Sequence, residues 1–416
     1  MKLFERKKKN IFVRGIDSIK KFYNKKIVKS KLRFSMSETI IFMIVTFGFG
    51  LFLGGVIMYG KEMFGSKSSL YEFAKTYNEL LDSYYKDVDS QELLNAGISG
   101  MVKYLGDPYS TYMSEEAAEE FNDEVEGVYH GIGAEIKYDE KFENVYIGRV
   151  FENSPAEKAG LQTDDQLLKV EEEEIKGKSL SEIANKVKGK DGTKVKITII
   201  RDGKEKIIEL TRGTVDSISV MSEIIERDEK KIGYLRISIF AANTQKQFEK
   251  ELLNLEKENI DSLIIDVRGN SGGYLATVDD IISLFTKKGD IIYQLKTKDK
   301  IEKIEDKSKD ERKYKIVVLT DSASASASEV LAAALKETYH AEIVGTKTFG
   351  KGKVQRVYTL SNGAMVKYTF QEWLTPEGNM IDGEGVTPTV EEKYVYDESG
   401  FDNQKEKAIE VLLQKD

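Results

Sequence analysis

The chain has 416 residues, of which 40% are apolar and 32% charged, a composition typical of a globular protein with two or three domains. It contains no cysteine, which excludes disulfides, thiolate zinc sites and cysteine nucleophiles. Its two histidines, His130 and His340, are too few for a multi-histidine metal site. We therefore expect neither a metal nor a cofactor.

The amino-terminal segment is strongly basic, although the whole chain carries a net charge of −8. Residues 1–35 hold 13 Lys and Arg against two acids, and an uncharged run of 20 residues follows at 40–59. Twenty helical residues span about 30 Å, the thickness of a membrane's hydrocarbon core. We predict a transmembrane anchor at 36–60, a cytoplasmic segment at 1–35 and a catalytic region outside a bacterial cell membrane. A nucleic-acid partner is not expected.

Apolar residues recur at helical spacing over residues 68–104, and a stretch rich in Gly and Pro, 105–113, ends the pattern. An acidic, helix-prone segment follows at 115–127. We assign 61–117 as an amino-terminal helical region.

Residues 128–214 read as short strands separated by Gly, Asn and Asp turns. The fragments SPAEKAGL (154–161) and RDGK (201–204) resemble a PDZ domain, which we place at 118–214. One departure is Asp165, which stands where the family usually has glycine. The resemblance implies that the loop at 129–136 binds a substrate's carboxy-terminal tail through its backbone N–H groups. The residues implied are Gly131, Ile132, Gly133 and Ala134.

From residue 230 onward, strands and helices alternate, which predicts an α/β core with a sheet buried on both faces. The predicted strands include 291–297 and 315–320, and the predicted helices include 243–258. We place this core at 215–390 and a helical tail at 391–416.

Three segments of the core carry candidate chemistry. DVRGNSGGYL (266–275) follows an apolar strand, and Gly272 and Gly273 allow backbone N–H groups to form an oxyanion hole. DSASASASEV (321–330) places four serines at a strand-to-helix corner. A serine nucleophile needs a base, and neither histidine lies in a motif that would supply one.

The third segment, GTKTFGKGKVQRV (345–357), offers Lys351 between Gly350 and Gly352. A buried lysine can act as a base because burial disfavours the ammonium form. The segment also approaches the P-loop pattern, but Gly352 replaces the required Ser or Thr and a strand follows instead of a helix. The nucleotide-binding reading therefore fails.

Together, SASASEVLAAAL, IVGTKTFGKGKVQ and DVRGNSGG resemble the carboxy-terminal processing proteases, which are Ser/Lys peptidases with an inserted PDZ domain. The resemblance implies a mixed α/β protease core of the ClpP/crotonase-like kind. It also implies Ser326 as nucleophile, Lys351 as base and Gln355 as the residue that orients the lysine. The N–H of Ala327 would join Gly272 and Gly273 at the oxyanion. Substrates would be proteins with apolar carboxy-terminal tails.

Some questions stay open at this point. Glu337 occupies a position where some family members carry an assisting aspartate, and His340 lies close to it; Gln355 is favoured. One alternative function is a catalytically inert PDZ adaptor. Another is a penicillin-recognising Ser/Lys enzyme, suggested by SYYK (83–86) and KTF (347–349). The helical regions at 68–104 and 401–416 are candidates for homodimer contacts.

Overall fold

The structure is a computed structural model that describes residues 36–64, 68–139, 144–308 and 312–414. The chain divides into two compact units, Met1–Ala96 and Gly97–Asp416. The predicted basic segment at 1–35 lies outside the described residues.

The first helices follow the predicted pattern. Ser68 caps the second of them, since its Oγ accepts a hydrogen bond from the N–H of Tyr71 at 3.1 Å. The turn after residue 83 separates the second helix from the third. The helices are α1 (Met36–Phe64), α2 (Ser69–Ser83) and α3 (Ser90–Tyr104).

The transmembrane prediction for residues 36–60 is wrong. Within the described part of the chain, no helix combines the length and the apolar character that crossing a membrane requires. The prediction of a single-pass location in the cell membrane is therefore wrong as well.

A β-rich body follows between residues 128 and 216. Its sheet has the order β3–β4–β5–β7–β8, with β6 beside β5, and β2 pairs with β9 where the chain enters and leaves. Ile147, Ile183 and Ile197 are fully buried at its centre. The elements from here back to α3 are β1 (Thr111–Met113), α4 (Glu115–Glu126), β2 (Val128–Gly131), β3 (Ala134–Asp139), β4 (Asn144–Val150), α5 (Pro155–Lys158), β5 (Gln166–Val170), β6 (Glu173–Glu174), α6 (Leu180–Val187), β7 (Lys194–Arg201), β8 (Lys204–Thr211) and β9 (Gly213–Asp216).

Asp165 is accommodated in this body, although PDZ domains usually have glycine at its position. Its buried carboxylate binds Arg201 through both oxygens, with Nε–Oδ1 and Nη2–Oδ2 distances of 2.6 Å. The positive φ of the turn, 67°, belongs to Asp164 instead. The position therefore holds a buried bidentate ion pair and does not need the positive φ that a glycine would allow.

The α/β core is built on a sheet of order β10–β11–β12–β15–β16–β19, in which β10 is antiparallel to β11 and the other pairs are parallel. Leu263 and Ile265 of β12 pack in one hydrophobic cluster, and Ile264 packs in another on the opposite face. The predicted burial on both faces is confirmed. The strands are β10 (Val220–Arg227), β11 (Lys230–Ile237), β12 (Ser262–Asp266), β15 (Lys315–Thr320), β16 (Glu342–Gly345) and β19 (Val390–Glu391).

Helices cover both faces of this sheet. The last helix contributes Ala408, Ile409 and Leu412 to the cluster on one face, so its apolar side is used within the chain and not left for a dimer contact. The other three helices pack on the opposite face. The helices are α7 (Thr244–Lys257), α8 (Leu275–Ile282), α9 (Ala327–Thr338) and α10 (Asn403–Leu413).

A second sheet of the core carries β18 at its centre. Strand β17 pairs with β18 along most of its length, whereas β1 and β13 pair with its two ends. The strands are β13 (Ile291–Lys296), β14 (Ile301–Glu305), β17 (Lys353–Thr359) and β18 (Met365–Leu374).

A buried carboxyl on α8 makes stability depend on pH. The Tyr293 hydroxyl donates to Asp279 Oδ2 at 3.0 Å, and Oδ1 is buried without a partner among the described residues. Burial raises the pKa of Asp279 to about 7, with Asp280 adding to the rise and Lys307 opposing it. Since the folded-state pKa exceeds the unfolded one, this group stabilises the fold below about pH 4 and loses that contribution as pH rises through 7.

Asp279→Asn is therefore expected to raise the free energy of unfolding at pH 8 by about 2–4 kcal/mol and to change it little at pH 4. Urea unfolding of the variant and of wild type across this pH range measures the difference. Asp299→Asn, the same change at an exposed position outside α8, is the matched control. Parallel pH dependences of Asp279→Asn and wild type would contradict the expectation.

Candidate active site

The serine run forms the corner between β15 and α9. Ser324 and Ser328 are fully buried, and their hydroxyls donate to the carbonyl oxygens of Val267 at 2.8 Å and Asn270 at 2.9 Å. Ser322 is exposed upstream of the corner. Ser326 precedes α9 with φ 53° and ψ −114°, a conformation that costs a non-glycine residue about 1–3 kcal/mol. The corner therefore presents one serine in a strained, partly exposed position.

The glycine turn after β12 packs directly on this corner. A Cβ placed on Gly272, whose φ is 107°, would lie 2.8 Å from the Ser326 Cβ. The N–H of Ala325 donates to the Asn270 carbonyl at 3.0 Å, which fixes the turn to the serine corner. The sequence-predicted residues Ser326 and Gly272 are thus in contact across two separate segments.

The N–H groups around the corner differ in availability. Gly272 donates its N–H to Oδ1 of the fully buried Asn270 at 2.8 Å. Within the part of the chain that the structure describes, the N–H groups of Gly273 and Ala327 have no acceptor. The Ala327 nitrogen lies 3.0 Å from the point where a Gly272 Cβ would be. Of the three predicted oxyanion donors, Gly273 and Ala327 are therefore free to bind a ligand.

The loop that carries Lys351 is held by close backbone packing. A Cβ on Gly352 would lie 2.5 Å from the Asp382 nitrogen, and one on Gly350 would lie 3.1 Å from the Gly385 nitrogen. Trp373 Nε1 donates to the Lys351 carbonyl at 2.9 Å. Strand β17, and not a helix, follows the loop, which agrees with the rejection of a P-loop.

The Lys351 side chain lies in an environment that disfavours its charge. Burial lowers the pKa of Lys351, and the charge of Lys367 lowers it further, while Glu329 and Asp107 oppose the shift. Nζ lies 5.0 Å from the centre of the Tyr109 ring. Tyr109 belongs to the 105–113 stretch, which the sequence pattern marked only as a helix break. Nothing in that pattern predicts that Tyr109 lies beside the lysine.

Glu329 joins the serine corner to the lysine loop. It is fully buried in the first turn of α9, and its Oε2 accepts the N–H groups of Ser326 and Lys351, each at 2.8 Å. Since one oxygen accepts both, the two nitrogens lie at most 5.6 Å apart. Oε1 accepts from Gly350 N–H and the Thr348 hydroxyl, each at 2.6 Å. Sequence reasoning missed Glu329 and Asn270 as functional residues, although both lie inside its motifs.

Gln355 lies on β17, four residues after Lys351. Its Nε2 is buried and, among the described residues, has no hydrogen-bond partner. Thr369 lies opposite Gln355 in the pairing of β17 with β18, and its buried hydroxyl also has no hydrogen-bond partner among the described residues. The orienting role of Gln355 stays a prediction.

The other candidate assistants of the dyad lie too far along α9. Glu337 is eleven residues beyond Ser326, which corresponds to about 16 Å of helix. Its Oε2 accepts the N–H of Glu377 at 2.8 Å. His340 lies beyond the end of α9. Neither side chain reaches the serine corner.

The predicted peptide-binding residues line an apolar groove between β3 and α6. Gly131, Ile132, Gly133 and Ala134 form one wall of a cavity of about 70 Å³. The opposite wall and floor are apolar side chains: Ile136, Ile147, Leu167, Ala184, Val187 and Ile197. Such a groove can accept an apolar side chain next to backbone N–H groups.

The competing sites are less well formed. SYYK at 83–86 is exposed, and Lys86 Nζ lies over the Tyr85 ring at 5.0 Å rather than against Ser83. In the described ranges, no group of three or more His, Asp or Glu side chains is arranged to hold a metal ion.

Comparison with known proteins gives three family matches. The model of peptidase family S41 matches residues 231–392, that of the activating protease CtpB N-terminal domain matches 58–117, and that of the PDZ domain matches 129–211. The boundaries of the six predicted domains stay predictions.

Two relatives agree with these matches, and one solved structure is reported beside them. The chain is 38% identical over 322 residues to the carboxy-terminal processing protease CtpB of Bacillus subtilis, covering 76% of this chain and 66% of that protein. It is 36% identical over 369 residues to a probable CtpA-like serine protease of Staphylococcus saprophyticus, covering 86% and 74%. A structure of the photosystem II D1 C-terminal processing protease is 26% identical with a TM-score of 0.46, covering 81% and 91%. The chain thus spans just under two thirds of the first relative's length.

Proposed function

The chain belongs to peptidase family S41, and from this premise we propose that it is a serine endopeptidase that processes the carboxy-terminal ends of proteins. The observation that carries the proposal is that three features lie in segments joined by direct contacts, with Gly272 packed on the Ser326 corner and Glu329 hydrogen-bonded to both Ser326 and Lys351. The three features are the strained corner of Ser326, the free N–H groups of Gly273 and Ala327, and Lys351 with its lowered pKa. A nucleophile, oxyanion donors and a base are the parts that acyl transfer needs.

In the proposed mechanism, neutral Lys351 removes the proton from Ser326 Oγ as Oγ attacks the scissile carbonyl carbon. The negative oxygen of the tetrahedral intermediate accepts hydrogen bonds from Gly273 and Ala327. Protonated Lys351 then donates its proton to the leaving amine, and the peptide C–N bond breaks. Water, activated by the neutral lysine, hydrolyses the acyl-serine and restores the enzyme. Gln355 would accept a hydrogen bond from the lysine amine during these steps.

The apolar groove between β3 and α6 would capture the substrate's tail. Its lining favours a tail that ends in an apolar residue, and the backbone N–H groups of Ile132 to Ala134 would bind the terminal carboxylate. Protein substrates with apolar tails are therefore proposed as the partners. The inert-adaptor alternative would need this groove alone, and it gives no reason for a strained serine beside free N–H groups.

Gly133→Ala tests the delivery step. Gly133 has φ 77°, and an added Cβ would lie 2.3 Å from the Ser154 Cβ, so the loop must move. We expect KM for an apolar-tailed peptide to rise about tenfold or more with kcat little changed, because the catalytic groups are untouched. Steady-state cleavage of that peptide, and of the same peptide with an amidated end, measures both constants.

Gly148→Ala is the matched control in the same body, since its Cβ would meet only ordinary contacts at 3.5–3.6 Å. Thermal unfolding of both variants verifies that they fold. An unchanged KM in folded Gly133→Ala, or equal cleavage of the amidated peptide by wild type, would refute tail capture by this loop.

A further inference from the structure

We propose that Glu329 is a positioning residue, whose carboxylate sets the spacing between the nucleophile and the base by binding the backbones of both. The inference rests on the proposed function and adds a residue to it. Oε2 accepts the N–H groups of Ser326 and Lys351 at 2.8 Å, and Oε1 accepts from Thr348 and Gly350 at 2.6 Å. No other residue in the described part of the chain is hydrogen-bonded to the backbones of both Ser326 and Lys351.

The site is built for a carboxylate and not for an amide. Three of its four partners are backbone N–H groups, which can only donate. The fourth, the Thr348 hydroxyl, already accepts the N–H of Val386 at 2.6 Å and therefore directs its own proton to Glu329. A glutamine would turn an N–H group toward two of these donors. The first turn of α9 also favours a negative charge, because the helix dipole is positive there.

The bond to Ser326 acts at the strained point of the corner. With φ at 53°, the Ser326 N–H faces inward to the carboxylate, and the nucleophile's backbone is fixed relative to the lysine loop. Loss of this bond would let the serine corner relax toward an ordinary helix start. The reacting oxygen and the amine would then lose their relative placement, which in catalysis costs rate rather than substrate affinity.

The charge of Glu329 has a second, separable effect. It opposes the lowering of the Lys351 pKa, so its removal lowers that pKa further. Cleavage needs neutral Lys351, and activity should therefore begin at lower pH when the charge is absent. An aspartate keeps the charge but cannot reach all four donors. Geometry and charge can thus be told apart by two substitutions.

The test is the pH profile of kcat and KM for the apolar-tailed peptide in Glu329→Gln, Glu329→Asp and wild type. We expect kcat to fall at least about 100-fold in both variants with KM nearly unchanged. The acidic limb of the profile should move to lower pH in Glu329→Gln and keep its place in Glu329→Asp. Glu337→Gln, the same change elsewhere on α9, is the matched control and should behave as wild type.

Thr348→Val keeps the proposal falsifiable if Glu329→Gln does not fold. It removes the hydroxyl donor but leaves the charge of Glu329 and its hydrogen bonds to the N–H groups of Ser326 and Lys351. It should lower kcat severalfold with the acidic limb in place. If Glu329→Gln and Glu329→Asp both fold and keep the wild-type kcat, the positioning role is overturned. If Glu329→Gln does not fold, a wild-type kcat in Thr348→Val overturns it.

Failure of the proposed function gives a different result. In that case wild type does not cleave the peptide, or Ser326→Ala still cleaves it. Hydrogen exchange at the Ser326 and Lys351 amides, followed by NMR, then decides the positioning role of Glu329 without activity. Faster exchange at both amides in folded Glu329→Asp than in wild type would support that role, and equal exchange rates would overturn it.

Discussion

Replacing Ser326 by alanine is expected to reduce peptide cleavage by about 10⁴-fold or more, to the level set by binding and the oxyanion donors alone. The neighbouring serines cannot take over. Ser324 and Ser328 are fully buried, and both hydroxyls are committed to backbone carbonyls of the glycine turn. Binding of an apolar-tailed peptide should persist, because none of the residues that line the groove belongs to the serine corner. Cleavage kinetics and peptide affinity measured on one preparation give both results.

Ser322→Ala is the matched control, since it makes the same change at an exposed position of the same run. It should cleave and react with a fluorophosphonate probe as wild type does, whereas Ser326→Ala should not be labelled. Substantial cleavage by Ser326→Ala would exclude it as the nucleophile. Loss of activity in Ser322→Ala alone would shift the assignment along the run.

Removing the amine of Lys351 is expected to lower kcat by about 10²–10⁴-fold, the usual contribution of a general base. Lys351→Arg should be as inactive as Lys351→Ala, because a guanidinium stays protonated. In wild type, activity should rise with pH through the pKa of Lys351, which burial lowers from its usual range near 10.5. The sign follows from the mechanism, since only the neutral amine accepts the serine proton.

Lys347→Ala provides the control from the same loop. Its amine is exposed and lies 3.9 Å from Glu384, a surface pair that contributes little. The pH profile of kcat for the three variants and wild type is the measurement. A profile that is flat over the range where a buried lysine titrates would argue against Lys351 as the base, as would full activity in Lys351→Arg.

The local features of the core could be predicted from the sequence. Short motifs marked the serine corner, the glycine turn and the lysine loop, because each depends on residue types that are adjacent in the chain. The apolar strand at 315–320 and the helix at 243–258 are confirmed as β15 and α7, since their periodicity reflects burial on this fold.

What sequence reasoning could not supply depends on contacts between distant segments. Glu329 looks like an ordinary helix-start glutamate until the loop 22 positions later is seen to donate to it. Asn270 removes the Gly272 N–H from the oxyanion set through a side-chain bond that no motif encodes. The anchor predicted at 36–60 is wrong, because an uncharged run is not sufficient and no described helix has the length and apolar character that crossing a membrane requires.

The alternating serines have a genetic consequence. Because the run repeats Ser-Ala, an in-frame loss of any one pair yields the same shortened protein, in which Asp321 is joined directly to a serine-alanine-serine-alanine-serine stretch. The turn in which Ser324 N–H donates to the Asp321 carbonyl, and Asp321 N–H to the Ser324 hydroxyl, needs the exposed pair Ser322 and Ala323 as its middle. The segment that resembles a dispensable repeat therefore has a fixed length, and we expect deletion of a Ser-Ala pair to be inactivating wherever in the run it occurs.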